Sequence, residues 1–209
     1  METIKLGSKG EAVETLQKFL NLYVDGIFGK LTKEAVVAFQ KANNITPDGV
    51  VGDETWKLLQ SEDNYLKLKT AKRPIKEIFL HCTATPEGKD YNVATIKKWH
   101  LQRGFSDIGY HYVVYRDGSV HEGRDINVAG AHCTGHNTGS IGISYVGGLD
   151  ASGKNAKDTR TPEQKEALLK LVRELCKKYN IPKTKVYGHY QFANKACPSF
   201  KIEPFRAQL

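Results

Sequence analysis

The sequence predicts an α/β protein: a mixed central β-sheet flanked by helices, preceded by a small three-helix domain. Three observations carry that expectation. A short repeat fills the first 60 residues, strand and helix patterns alternate from residue 75 onward, and Asp117-Gly118 separates two strand-like runs.

The repeat comes first. DGIFGKLTKEAV (25–36) and DGVVGDETWKLL (48–59) align at an offset of 23, which matches Asp25 to Asp48, Gly26 to Gly49, Gly29 to Gly52 and Thr32 to Thr55. Asp-Gly with a second glycine three residues on makes a tight turn, because glycine accepts positive φ. Each turn feeds a helix. Ahead of them, Ser8 and Glu11 have capping-box spacing and lead into Val13, Leu16, Phe19 and Leu20 on one helical face. Residues 1–60 are therefore expected to form one three-helix domain. Residues 61–73, SEDNYLKLKTAKR, are polar and basic without sustained periodicity, and Pro74 follows; they read as a linker.

Residues 74–209 are expected to form the second domain. IKEIFLH (75–81) has the apolar run of a buried strand, and a helix spans Val93 to Arg103. YHYVVYR (110–116) and SVHEG (119–123) flank Asp117-Gly118, a hairpin signal. SIGISYVG (140–147) is a further strand, a helix runs from Pro162 to Tyr179, and KVYGH (185–189) is a final strand. Alternation of this kind with one hairpin implies a mixed rather than purely parallel sheet.

Composition narrows the function. The chain has 209 residues, 40% of them hydrophobic and 26% charged, without low-complexity tracts, as in a folded soluble protein. No stretch reaches the roughly 18 continuous apolar residues of a membrane span. METIKLGSKGEAV shows neither a basic leader nor an apolar run, so no secretory signal is expected. The four cysteines (82, 133, 176 and 197) are too few for a disulfide framework in a chain this long. Cys176 lies in the core-facing stripe of Leu168, Leu171, Val172, Leu175 and Tyr179 and reads as core.

The net charge of +8 is uneven: residues 1–60 carry seven lysines against eight acidic residues, and the remainder carries 24 basic against 15 acidic. Such a surface suits nucleic acid or an anionic cell envelope. No basic helix with interleaved aromatics and no RNP-like strand appears, so no nucleic-acid partner is expected.

Two histidines end strands and can meet at one rim of the sheet. His81 closes an apolar strand, and His189 closes KVYGH. Alternation along a strand sends Cys82 to the packed side if His81 faces a cleft. Cys197 follows His189 by eight positions, on a loop that Pro198 stiffens. Two His and one Cys make a three-ligand set for zinc with one position left open, the catalytic arrangement. On spacing alone, satisfied core histidines and a buried thiol remain an alternative.

Six ordered segments then carry a resemblance. HCTAT (81–85), GFSDIGYHYVVYRDG (104–118), HEGRD (121–125), GAHCTGHNTGSIGI (130–143), TPEQ (161–164) and GHYQFANKACPSF (188–200) resemble the type 2 N-acetylmuramoyl-L-alanine amidases, which include phage endolysins and the related peptidoglycan recognition proteins. The repeat resembles the type 1 peptidoglycan-binding domain, through its DG-x-x-G turns and the AFQ at 38–40. The resemblance implies that family's fold and a zinc hydrolase that cuts the amide between N-acetylmuramic acid and L-alanine of the stem peptide. It places the Zn2+ ligands on His81, His189 and Cys197, and further catalytic groups on Tyr110 and Lys195. Family members that lack the cysteine ligand bind without activity, and this sequence keeps it.

Those residue types suit amide hydrolysis. Zinc lowers the pKa of its water and polarises a carbonyl, Lys195 can stabilise an oxyanion or assist the leaving nitrogen, and Tyr110 can hydrogen-bond the zinc water and relay its proton. AHCTGH also offers His132, Cys133 and His136 as a rival metal set, but the segment reads as a glycine-rich cleft loop. His132 and Asn137 are instead expected to hydrogen-bond the muramyl-peptide. His111 alternates with Tyr110 and is expected in the core, and Trp99 and His100 are expected to pack.

The expectation is thus a monomeric phage or prophage endolysin with bacterial peptidoglycan as its partner. It would accumulate in the host bacterial cytoplasm and act on the wall after membrane permeabilisation. The alternative is a non-catalytic peptidoglycan-binding protein, and a zinc peptidase acting within the stem peptide is a third reading.

Overall fold

The computed structural model describes residues 1–20, 22–60 and 68–209. It divides into two compact units, Met1–Lys67 and Leu68–Leu209. Most of the expected linker, 61–67, lies outside the described residues, whereas 68–73 belong to the second unit.

The first unit holds α1 (Glu11–Phe19), α2 (Lys30–Ala42) and α3 (Asp53–Gln60). Ile4, Val13, Leu16, Phe28, Val36, Val51, Trp56 and Leu59 form its core. The repeat is real down to its hydrogen bonds. Gln17 Nε2 donates to Asp25 Oδ1 (2.7 Å) and Thr32 Oγ1 (3.3 Å), while its Oε1 accepts from Gly26 N (3.0 Å). Gln40 repeats this with Asp48 (2.9 Å), Thr55 (3.3 Å) and Gly49 (2.9 Å). Each buried amide thus satisfies a turn whose glycine has positive φ, 68° at Gly26 and 74° at Gly49.

The Ser8–Glu11 capping box does not form. Helix α1 starts after Gly10, at φ 109°, without a side-chain cap. Ser8 lies too far upstream, and its hydroxyl accepts from Lys5 N instead (3.0 Å), closing a local turn.

The second unit is built on β1 (Glu77–Cys82), β3 (Tyr112–Val114), β4 (Val120–Glu122), β5 (Ser140–Tyr145) and β7 (Val186–Gly188), in the order β4-β3-β5-β1-β7. Only β3 and β4 run antiparallel, across the hairpin; β3–β5, β5–β1 and β1–β7 are parallel. The helices are α4 (Val93–Gln102), α5 (Pro162–Tyr179) and the short α6 (Ile202–Arg206). Two-residue strands β2 (Thr85–Pro86) and β6 (Gly148–Leu149) pair separately. Parallel strands covered on both faces are near-continuously apolar, and every residue of β5 is buried, its two serines included. The mixed sheet, its flanking helices and the three-helix domain ahead of it are the expected fold class.

Helix α5 opens on a full capping box: Thr161 Oγ1 accepts from Gln164 N (3.0 Å), and Gln164 Oε1 accepts from Thr161 N (3.1 Å). The same buried Gln164 donates to the carbonyls of Val114 (3.2 Å) and Val146 (3.0 Å), which fastens the helix to the ends of β3 and β5. Leu168, Leu171, Val172 and Leu175 face the core, and Cys176 at its edge is only half-buried.

Arg73, expected in the linker, is part of this unit. Its guanidinium donates to the carbonyls of Ile126 (2.7 Å), Thr138 (2.7 Å) and Ser140 (2.9 Å).

Candidate active site

Strand β1 lies between β5 and β7: the chain leaves β1 toward β3 on one side, whereas the crossover that follows β5 passes to β7 on the other. Sites in such sheets form at the carboxyl ends of the strands at that point. His81 stands there on β1, and His189 follows β7 directly. Cys197 returns along the loop that the Tyr190 N to Cys197 O bond closes (2.8 Å). One ligand atom from each of His81, His189 and Cys197 falls within 4.8 Å of the others.

The geometry at each donor fits a metal. Cys197 Sγ is 3.7 Å from His81 Nδ1, close to the roughly 3.5 Å that tetrahedral zinc bonds of about 2.0–2.3 Å would give. The two imidazoles stand edge-on, with centroids 4.6 Å apart. Burial first, and then the neighbouring His132, His189 and Lys195, hold His81 well below the usual imidazole range, so it is a neutral nitrogen donor. Burial and then Lys195 lower His189 in the same way. Neutral imidazoles and a thiol are donors that zinc prefers.

Cys82 is buried, but it also borders the cleft beside Cys197 rather than only the packed side. Its Sγ lies against Gly148, where a Cβ would come within 2.4 Å of it, and its backbone N–H donates to Cys197 Sγ (3.3 Å). The Cys82 thiol and burial push the Cys197 thiol up, whereas the Cys82 N–H and Lys195 pull it down. A thiol so placed ionises most readily opposite a cation.

A cleft of about 400 Å³ opens beside the cluster. Tyr110 and Lys195 line it together with His189 and Cys197. The Tyr110 ring centroid is 5.2 Å from that of His81. Burial, and then the two nearby thiols, raise the Tyr110 phenol above its ordinary value, which keeps it a proton donor.

His132 and Asn137, expected to meet substrate, also border the cleft, while the Asn137 carbonyl oxygen and the His132 ring bond within the fold. Asn137 Oδ1 accepts from the backbone N–H of His132 (2.8 Å) and Cys133 (3.0 Å). His132 is buried, with Nδ1 3.2 Å from His81 Nε2 and Nε2 3.2 Å from Ser140 Oγ. The rival set is split: His136 turns to Glu77 (2.9 Å), and Cys133 is buried. His111 is buried as expected, accepting from Gly142 N at Nδ1 (3.0 Å). Trp99 packs edge-on against Tyr91 (5.0 Å), and His100 accepts from Gly109 N (2.9 Å); both also line the cleft.

Sequence reasoning passed over Ser140, which carried one faint signal: a hydroxyl opening a fully buried strand next to a histidine-rich loop.

The fold and its cluster define a class: a mixed α/β domain with two imidazoles and one thiol gathered at a cleft. The chain belongs to the N-acetylmuramoyl-L-alanine amidase family, whose model matches residues 71–200. A model described as a putative peptidoglycan binding domain matches residues 9–59. The endolysin of Enterobacteria phage K11 is 40% identical over 134 residues, covering 64% of this chain and 87% of that one. The endolysin of Escherichia phage T7 is 40% identical over 126 residues, covering 60% and 82%. Among solved structures, the N-acetylmuramoyl-L-alanine amidase LysC from Clostridium intestinale URNW aligns with a TM-score of 0.56 at 29% identity, over 68% of this chain and 93% of that one. Drosophila PGRP-LB aligns with a TM-score of 0.51 at 26% identity, over 62% and 78%.

Proposed function

We propose that the protein is a zinc-dependent endolysin that hydrolyses the amide between N-acetylmuramic acid and L-alanine in bacterial peptidoglycan. The observation that carries this reading is the convergence of His81, His189 and Cys197 within 4.8 Å, on a cleft that Tyr110 and Lys195 also line. His81, His189 and Cys197 would hold the ion. When bound, it supplies a Lewis acid and a more acidic water.

The chain's own groups do the rest. Hydrolysis adds water across the amide: the C–N bond breaks, the muramyl lactyl group leaves as a carboxylate, and the stem peptide keeps a free amine. Tyr110 hydrogen-bonds the attacking water and relays its proton toward the departing nitrogen, while the Lys195 ammonium stabilises the tetrahedral oxyanion or delivers that proton. The 9–59 segment holds the enzyme on its polymer, a role supported by its family match. The phage endolysins similar to this chain support a lytic role at the cell wall.

Purified peptidoglycan tests the reading. Wild type should reduce turbidity, release stem peptides that begin at L-alanine by mass spectrometry, and lose activity to a chelator until zinc is restored. Cys197→Ala should leave the substrate intact. Cleavage within the stem peptide, or equal clearing by the variant, would refute the assignment.

A further inference from the structure

Hydrogen-bond direction around His81 can be read without ambiguity. Ser140 Oγ has one proton, and it lies 2.7 Å from the carbonyl of His136, which can only accept. The proton goes there. Ser140 Oγ therefore accepts from His132 Nε2, 3.2 Å away. His132 then carries its hydrogen on Nε2 and offers a lone pair at Nδ1, which faces His81 Nε2 at 3.2 Å. His81 must hold its own hydrogen on Nε2. Its Nδ1 is left bare, and this is the atom turned toward Cys197 Sγ.

The seat of the His132 ring is built to hold this order. A Cβ at Gly142 on β5 would come within 2.4 Å of the ring, and one at Gly130 within 2.3 Å, so two glycines clear the space. Asn137 grips the backbone on either side of the His132 peptide carbonyl, through the N–H groups of His132 and Cys133. The His132 ring nitrogens and the Asn137 carbonyl oxygen are thus engaged within the fold around His81.

We infer that Ser140, His132 and the His136 carbonyl form a relay that fixes the tautomer of His81 and presents its Nδ1 to the metal. His132 is thus a positioning residue, and Asn137 supports it. The inference rests on the zinc reading for its purpose, but not for its hydrogen-bond order. Partners that orient a ligand histidine typically change metal affinity by roughly 10–100-fold when lost.

Two measurements on the full chain test it. Long-range proton–nitrogen NMR of the metal-free wild type should show both His81 and His132 protonated at Nε2; a His81 protonated at Nδ1 overturns the relay. Zinc affinity from chelator competition should weaken about 10–100-fold in His132→Ala. It should weaken less in His132→Asn, whose amide oxygen can stand near the lost Nδ1. A zinc Kd in His132→Ala within twofold of wild type also overturns the relay. Wild type that binds no zinc refutes the metal reading instead, and the NMR result still decides the relay because it needs neither metal nor variant.

Discussion

In the proposed mechanism Lys195 and Tyr110 act on the reacting groups and His132 acts on a ligand, so their losses should look different. Lys195→Ala and Tyr110→Phe should each lower kcat by about 10²–10³-fold, with zinc content by atomic emission unchanged. A variant that lost zinc along with rate would move its residue from the substrate side to the ligand side. His111 gives a prediction of another kind. Burial, then Arg73 and Arg124 against the pull of the Val128 carbonyl and Asp125, lower its pKa from 6.5 to about 4. The unfolded chain therefore takes up a proton that the fold refuses. Stability is full above the unfolded value of about 6.5 and is lost as pH falls toward 4, by about 2 kcal/mol at pH 5 from this residue alone. Urea denaturation at pH 7.5 and pH 5 should show His111→Gln losing less stability on acidification than wild type; equal losses would mean that His111 does not titrate as described. At this scale, His81, His189 and Cys197 could be singled out because two imidazoles at strand ends and a thiol on the following loop are chemically distinctive. Ser140 could not, since a hydroxyl's meaning depends on which neighbour takes its proton.

Elements were legible in proportion to the length of their patterns. Helix α5 matches its expected span because proline, the capping box and four buried positions all agree. The pair β2 and β6 went unseen, since two-residue strands have no periodicity, and α6 has only five residues. The two capping boxes make a sharper comparison. Ser8–Glu11 and Thr161–Gln164 share the spacing, yet only the second caps a helix, because Gly10 provides an alternative start for α1. Thr161→Ala should cost about 1 kcal/mol in chemical denaturation, and Ser8→Ala only a few tenths; equal costs would count against the assignment. Gln40 entered the reading only within AFQ, and Gln17 was missed, although both obey the repeat. Gln17 and Gln40 stand at the same offset as the turns they satisfy, but outside the conspicuous DG-x-x-G text.

For the whole molecule, the division at Lys67 and Leu68 sets where the two units can be separated. A chain of residues 68–209 should keep hydrolysis of soluble muramyl-peptides while pelleting less with insoluble walls. Unchanged wall affinity would remove the binding role from the repeat. A cut at residue 75 should behave worse, because it discards Arg73 and its three carbonyl contacts. The parallel topology has a temporal consequence as well. His81 waits on β1 while more than a hundred residues pass before β7 and its loop deliver His189 and Cys197. Between β1 and β7 a nascent chain holds His81 alone of the three, so the proposed zinc site can close only after the last strand of the sheet is laid down.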